Sequence, residues 1–280
     1  MRAENHTPVR EPLDAARLRR AALHPDGPWR EIEVVPSTGS TNADLLARAL
    51  RGEPEGVVLA AEEQTAGRGR MGRTWTSPPR AALTFSLLLN PAVPPARRGW
   101  LPLLTGVAVA AAVTEVTGIR TGLKWPNDVL AGNVLAGEGK LAGILAEAAG
   151  DAVVVGIGLN VSTEPAELPR PLPGALPATS LRAAGAQAPD REELRLAILA
   201  GFERWYRPWR QASGDPDRSG LREEYVRWSA TIGRTIRAEL PGGQALSGSA
   251  AGVDPDGRLL VRVSSGAEVA VAAGDVVHLR

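Results

Sequence analysis

The sequence predicts an α+β protein: a larger domain of mixed strands and helices, followed by a small β-barrel. Three observations predict it. Up to residue 230, strand-like apolar runs and helical patterns are interspersed without the strict alternation of a parallel α/β fold. From Thr231 the texture changes to short alternating strands joined by tight turns. The chain has 280 residues, of which 44% are hydrophobic and 22% charged, enough for one large core with a small appended one.

The elements follow in order. Residues 13–23 read as a short helix, closed by the breaker cluster His24, Pro25, Asp26, Gly27 and Pro28. Residues 31–35 (EIEVV) alternate as a strand does. Ser37 to Asn42 are turn and cap residues before a helix over 43–50, whose apolar side carries Leu45, Leu46, Ala49 and Leu50. Residues 57–61 and 82–89 read as buried strands on either side of a Gly/Arg loop. Residues 101–116 read as a buried Ala/Val/Leu helix, too short and too polar to span a bilayer. Strands over 119–123 and 129–130 bracket KWPND. Strands over 141–147 and 152–161 follow, with a Pro/Ala-rich loop over 164–178. Asp190 caps a helix over 191–210, and a second helix covers 221–230. The barrel strands are 235–240, 245–253, 258–263, 268–271 and 276–279. Turns fall at Pro241-Gly242-Gly243 and at residues 254–257.

Composition narrows the chemistry. A formal net charge of +1 gives no global field towards nucleic acid or membrane, so any anion site rests on local arginines. There is no Cys, which excludes thiolate metal sites and a thiol nucleophile. The polar, basic N-terminus lacks the apolar core of a secretory signal, so a cytoplasmic protein is expected. Only two of the 32 basic residues are lysines, Lys124 and Lys140, and both fall in one short window. Those sites call for a compact, mobile ammonium rather than a planar fork.

Five motifs carry chemistry. In residues 67–75 (GRGRMGRTW), Gly67, Gly69 and Gly72 let backbone approach a ligand, and Arg68, Arg70 and Arg73 offer forks that match phosphate oxygens. Trp75 adds a flat face. The loop matches G-x-G-x-x-G, but residues 74–79 (TWTSPP) break the helix a dinucleotide site requires. Gly137 to Leu141 fail the Walker rule, since Val134 stands at the first Gly position and Leu141 replaces the hydroxyl. Ser40, Thr41 and Asn42 serve either as an ordinary helix start or as contacts to a small polar ligand. In KWPND, Pro126 forces Trp125 extended, and Asn127 and Asp128 present an amide and a carboxylate in a turn. The alternative there is a strand-ending turn with Trp125 in the core. GKLAGIL begins a strand at Lys140. GIGLN, with Gly156 and Gly158 alternating, suggests close approach by a ligand or another backbone. Together they suggest one shared pocket.

STN at 40–42, GRGRMGRTW, KWPND, GKLAGIL and GIGLN, in this order and at this spacing, resemble the motifs of biotin–protein ligases. The resemblance is strong over residues 35–162 and extends to the β-rich tail, which looks like the family's SH3-like C-terminal domain. It implies a mixed-sheet catalytic domain of the class II synthetase-like type. The domains are then an N-terminal extension over 1–30, a catalytic domain over 31–230 and the barrel over 231–280. The implied reaction activates biotin with ATP, carried as its Mg²⁺ complex, to biotinyl-5′-AMP. The biotinyl group then passes to a lysine of a biotin carboxyl carrier domain of an acyl-CoA or pyruvate carboxylase.

Carried over by position, Ser40, Thr41, Asn42 and Gln64 contact the ureido ring. Arg68, Gly69 and Arg70 line the carboxyl and phosphate region, and Gly67 and Arg73 belong to the binding set. Trp75 lies near adenine, and Lys140 meets the developing charge. Lys124, Asn127, Gly143 and Asn160 belong to the binding set, and Asp128 orients the carrier lysine or a Mg²⁺. Roughly 30 residues precede the first core strand, too few for the helix-turn-helix domain some members carry, so no DNA binding is expected. A monomer or weak homodimer is expected. The alternatives are a biotin-binding regulator or a lipoate-type ligase on the same architecture. One departure is the small-residue loop over 131–138, which is slightly long for the family.

Overall fold

The computed structural model describes residues 10–133, 137–171, 176–240 and 242–279. The expected turn residue Pro241 and parts of the expected loops over 131–138 and 164–178 lie outside these. In chain order the elements are α1 (Ala15–Ala22), β1 (Glu31–Val35), α2 (Thr41–Leu50), β2 (Val57–Ala61), β3 (Ala82–Leu89), α3 (Trp100–Thr117), β4 (Thr121–Lys124), β5 (Asp128–Asn133), β6 (Gly137–Ala149), β7 (Ala152–Asn160), α4 (Arg191–Gln211) and α5 (Leu221–Trp228). They are followed by β8 (Thr235–Glu239), β9 (Ala245–Val253), β10 (Leu259–Arg262), β11 (Glu268–Val271) and β12 (Asp275–His278).

The first seven strands form one mixed sheet in the order β1-β2-β3-β7-β6-β5-β4, with β1 parallel to β2 and the other pairs antiparallel. Both faces are covered, which is why β3 reads as a continuous apolar run. Its odd positions Leu83, Phe85, Leu87 and Leu89 face the main core. Of its even positions, Leu88 joins the small cluster under α2 with Leu45, Val57, Leu59 and Val154.

Helix α3 fills the main core, with 12 of its 18 residues buried, and ends on Gly118 in the left-handed region (φ 71°). The stretch 95–117 is in fact long and apolar enough to span a membrane by length and composition. Its packing against the sheet and α4, not its polarity, assigns it to the core.

Residues 10–30, expected as an extension, pack into the main hydrophobic core. Leu13, Leu18, Ala22 and Trp29 are buried in the main cluster. The Leu13 N–H donates to Glu62 Oε1 (2.5 Å), and Arg191 Nη1 donates to Glu62 Oε2 (2.7 Å). Apolar residues too sparse to form a core of their own are buried against a neighbour's.

The expected loop over 131–138 is largely a hairpin: β5 and β6 pair to Asn133↔Gly137. Small residues hid this, because strand propensity is weak for Gly and Ala. The helix expected at 43–50 starts two residues earlier, with Ser40 as its cap (Oγ accepting from Ala43 N–H, 3.4 Å).

The last five strands form an antiparallel sheet, β11-β10-β9-β8-β12. Its turn over 254–258 is wedged against the start of α3. Trp100 Nε1 donates to Pro255 O (2.9 Å), Trp125 Nε1 donates to Gly257 O (3.1 Å), and a Cβ on Gly99 would stand 2.3 Å from Asp256 O. Trp125 is therefore a core residue at the seam between the sheets, as the alternative reading of KWPND held.

Candidate active site

A cavity of about 1030 Å³ opens between the two sheets, with α2 at one end and β12 at the other. It is the size of a site for a drug-sized or larger ligand. All the expected site residues line it except Gly67, which is buried at the root of the loop.

At the α2 end, Ser40, Thr41 and Asn42 are buried and knit into a network. Gln64 Oε1 accepts from Thr41 N–H (2.8 Å) and from Thr41 Oγ1 (3.1 Å). Thr41 Oγ1 stands 2.7 Å from Ser86 Oγ, which donates to Asn42 Oδ1 (2.6 Å). Asn42 Nδ2 donates to Leu145 O (3.1 Å) and Glu147 Oε2 (2.8 Å). Asn42 thus has a structural role at this end. Ser86 and Glu147 were not expected in this network; the signals for them are a hydroxyl inside a buried apolar strand and an even spacing along β6 from Gly143.

The alternating glycines make room for side chains rather than for another backbone. A Cβ on Gly156 would fall 2.2 Å from Asn42 Oδ1, and one on Gly158 would fall 2.4 Å from the Trp75 ring. Trp75 rests on this floor, with its ring also 3.3 Å from where a Gly143 Cβ would be. Its indole N–H is buried without an acceptor among the described residues.

The Gly/Arg loop closes on itself. Gly69 N–H donates to Arg73 O (2.7 Å), Arg73 N–H to Arg70 O (3.2 Å) and Trp75 N–H to Gly67 O (2.9 Å). Met71 (φ 55°) and Gly72 (φ 72°) make the reversal in the left-handed region. These three amides are spent within the loop, and Arg68, Arg70 and Arg73 bring guanidinium groups to the cavity. Arg68 pairs with Glu147 (3.4 Å). Arg70 donates to Asn127 Oδ1 (3.1 Å) and Gly274 O (3.4 Å), and burial pushes its pKa down. Arg73 pairs with Asp275 of β12.

On the opposite wall Asn127 is fixed to β6, donating from Nδ2 to Ile144 O (3.0 Å). Asp128 sits between the two lysines: Oδ1 is 2.7 Å from Lys140 Nζ, and Oδ2 is 3.8 Å from Lys124 Nζ. Lys140 and Gly143, three residues apart, both face the cavity, which simple alternation forbids. A register shift between Val129 and Leu130 leaves Leu141 as an extra residue on β6, and the bulge re-aims Lys140. Asn160 closes the far side, donating to Thr179 O (2.9 Å). Burial lowers the Lys124 pKa, with Asp128 opposing it. His278 is driven to about 4 by burial, then by Arg234 and Lys124, so it is neutral near pH 7. Among the described residues no group of three or more His, Asp or Glu side chains is arranged to hold a metal ion.

This arrangement offers polar groups at one end, guanidinium and ammonium groups at the middle, and a carboxylate beside the ammoniums. It can bind an anion and stabilise charge on it.

Comparison with known proteins gives a consistent result. The pattern of the Biotin/lipoate A/B protein ligase family matches residues 32–163, and that of the Biotin protein ligase C terminal domain matches residues 231–279. The biotin--[acetyl-CoA-carboxylase] ligase of Mycobacterium tuberculosis is 46% identical over 97% of this chain and 98% of its own. The biotin protein ligase of Aquifex aeolicus, solved with biotin and ATP, superposes with a TM-score of 0.71 at 27% identity, over 90% of this chain and 100% of that one. That of Leishmania major, solved with biotinyl-5-AMP, gives 0.58 at 25% identity, over 87% and 99%.

Proposed function

The chain belongs to the biotin/lipoate A/B protein ligase family, and within it we propose the two-step reaction of a biotin–protein ligase. It is an ATP-dependent ligase. A biotin carboxylate oxygen attacks the α-phosphorus of ATP, the new P–O bond forms, and pyrophosphate leaves. The neutral amine of a carrier lysine then attacks the carbonyl carbon of biotinyl-5′-AMP, and AMP departs with the electrons of the broken C–O bond. Both steps need positioning and charge stabilisation more than a protein nucleophile.

The observation that carries the reading is the convergence of Arg68, Arg70, Arg73 and Lys140 on the one cavity that also holds the Ser40–Gln64 network. In this reading Ser40, Thr41 and Gln64 meet the ureido ring, and Asn42 orders them. Arg68 and Arg70 bind the carboxyl and phosphate oxygens, and Gly67, Gly69 and Arg73 shape that loop. Lys140 supports the charge that develops between carboxylate and phosphate. Gly143, Asn127 and Asn160 frame the site, and Trp75 covers the nucleotide side. Asp128, with Lys124, lies where the carrier amine arrives.

Mg²⁺ is expected with the nucleotide, but the donor set does not fit a resident divalent cation, because Asp128 already faces two ammonium groups. The carrier is a biotin-dependent carboxylase, and we propose the carrier domain of an acyl-CoA or pyruvate carboxylase. ATP consumption favours the cytoplasm.

The test is pyrophosphate release from ATP with biotin or lipoate as the acid. Release with biotin and little with lipoate is expected. Equal rates, or none with biotin, would overturn the reading.

A further inference from the structure

An enzyme that makes a lysine-directed anhydride must not spend it on itself. Every lysine of this chain is in the reaction cavity: Lys124 and Lys140, with arginine supplying the other positive charges. Arginine keeps its proton and is not acylated under such conditions. A lysine is inert only while it remains an ammonium ion.

Both ammoniums end on one carboxylate, Asp128, at 2.7 Å from Lys140 and 3.8 Å from Lys124. The remaining charged groups here are mostly of the same sign. Arg70 and Arg73 bear on this region, with Asp275 opposing them and neutral His278 adding no charge. Lys124 is the more buried lysine, with a side chain 14% exposed against 31% for Lys140, and desolvation favours its neutral form. On the proposed reaction Lys140 gains a second anionic partner in the adenylate phosphate. Lys124 has Asp128 as its one salt-bridge partner among the described residues.

We infer that Lys124 is a latent self-acylation site and that Asp128 suppresses it by holding the lysine as a non-nucleophilic ammonium ion. This rests on the biotin-ligase reading. When the carboxylate is removed, clustered positive charge in a desolvated cavity favours loss of a proton from Lys124. The neutral amine then attacks the biotinyl carbonyl carbon of the adenylate. A C–N bond forms, the C–O bond to phosphate breaks, AMP leaves with the electron pair, and the amide nitrogen releases its proton to solvent.

The test starts from biotinyl-5′-AMP made separately, so it does not depend on the variant's own adenylation step. Wild type, Asp128→Asn and Asp128→Asn/Lys124→Arg are incubated with it without carrier. Adenylate binding is measured by equilibrium dialysis, and acylation by peptide mass mapping. Acylation of Lys124 is expected to rise about tenfold or more in Asp128→Asn, the change in neutral amine that one pKa unit brings, and to vanish in the double variant. Four results would overturn the inference: equal acylation of Lys124 in wild type, no acylation of Asp128→Asn while it holds the adenylate, acylation at Lys140 instead, or failure of Asp128→Asn alone to bind. A wild type that binds no biotinyl-5′-AMP would instead count against the ligase reading.

Discussion

Asn42 spends both ends of its amide inside the protein, on Ser86 at one end and on Leu145 and Glu147 at the other. Its motif was legible as a helix start and a ligand contact, but the hydrogen bonds that fix it reach residues 44, 103 and 105 positions away, which no local pattern shows. Glu147 is the pivot, because its second oxygen faces Arg68. Glu147→Gln keeps an acceptor for Asn42 and loses the charge for Arg68, whereas Glu147→Ala loses both. Titration calorimetry without nucleotide should find biotin affinity nearly unchanged in the Gln variant. In the Ala variant it should be weaker by about 1 kcal/mol, the worth of one hydrogen bond. Equal affinity in all three proteins would deny Glu147 this role. Lys140 makes the opposite case, with its ammonium aimed into the cavity by a bulge. Lys140→Ala should lower biotin-dependent pyrophosphate release by about 10²–10³-fold, as losing a charge-stabilising donor does. Biotin binding should change little, and wild-type activity would refute the assignment.

Elements were legible where one period dominated. β3, α3 and α4 announced themselves by apolar runs and caps. The bulge on β6 did not, because a one-residue offset between paired strands leaves no trace in either strand alone. The glycines of β7 were legible as a site of close approach, but what approaches them was not. Gly156→Ala would drive a methyl into the Asn42 amide and should weaken biotin binding about as much as Glu147→Ala, with secondary structure preserved by circular dichroism. Undiminished affinity would mean that the network can re-form. Helix α4 carries a different cost. Arg195 is fully buried, its guanidinium has no hydrogen-bond partner among the described residues, and it lies over the Phe85 ring at 5.6 Å. Burial pushes its pKa down to about 10. A base depressed on folding destabilises the protein while it is charged, so this cost is full below about pH 10 and fades as pH rises above it. Arg195→Met should therefore raise stability at pH 7 by about 1–3 kcal/mol, read by urea unfolding. A destabilised variant would show that Arg195 contributes more than it costs.

At the scale of the molecule, the second sheet completes the cavity, since Asp275 and His278 line it alongside Arg237 and Glu239 of β8. The tail was legible as a small β-rich unit, but its place beside the Gly/Arg loop was not. Arg73 and Asp275 lie 202 residues apart, and no local spacing rule connects them. Arg70 reaches the same region through Gly274 O. The loop therefore closes against the second sheet, and its stability should depend on that sheet even with no ligand bound. Arg73 is half exposed (54%), so the pair contributes at most about 1 kcal/mol. Trypsin supplies the readout, because Arg68, Arg70 and Arg73 are all cleavage points within the loop. If cleavage follows local opening, Asp275→Ala should accelerate it up to roughly fivefold in the ligand-free protein. Biotin with ATP should slow it in both proteins, because an adenylate gives the arginines a second anchor. Cleavage that is unchanged by the substitution would mean that the loop's own backbone hydrogen bonds hold it closed. Faster cleavage that biotin and ATP suppress would make the second sheet a partner in closing the site.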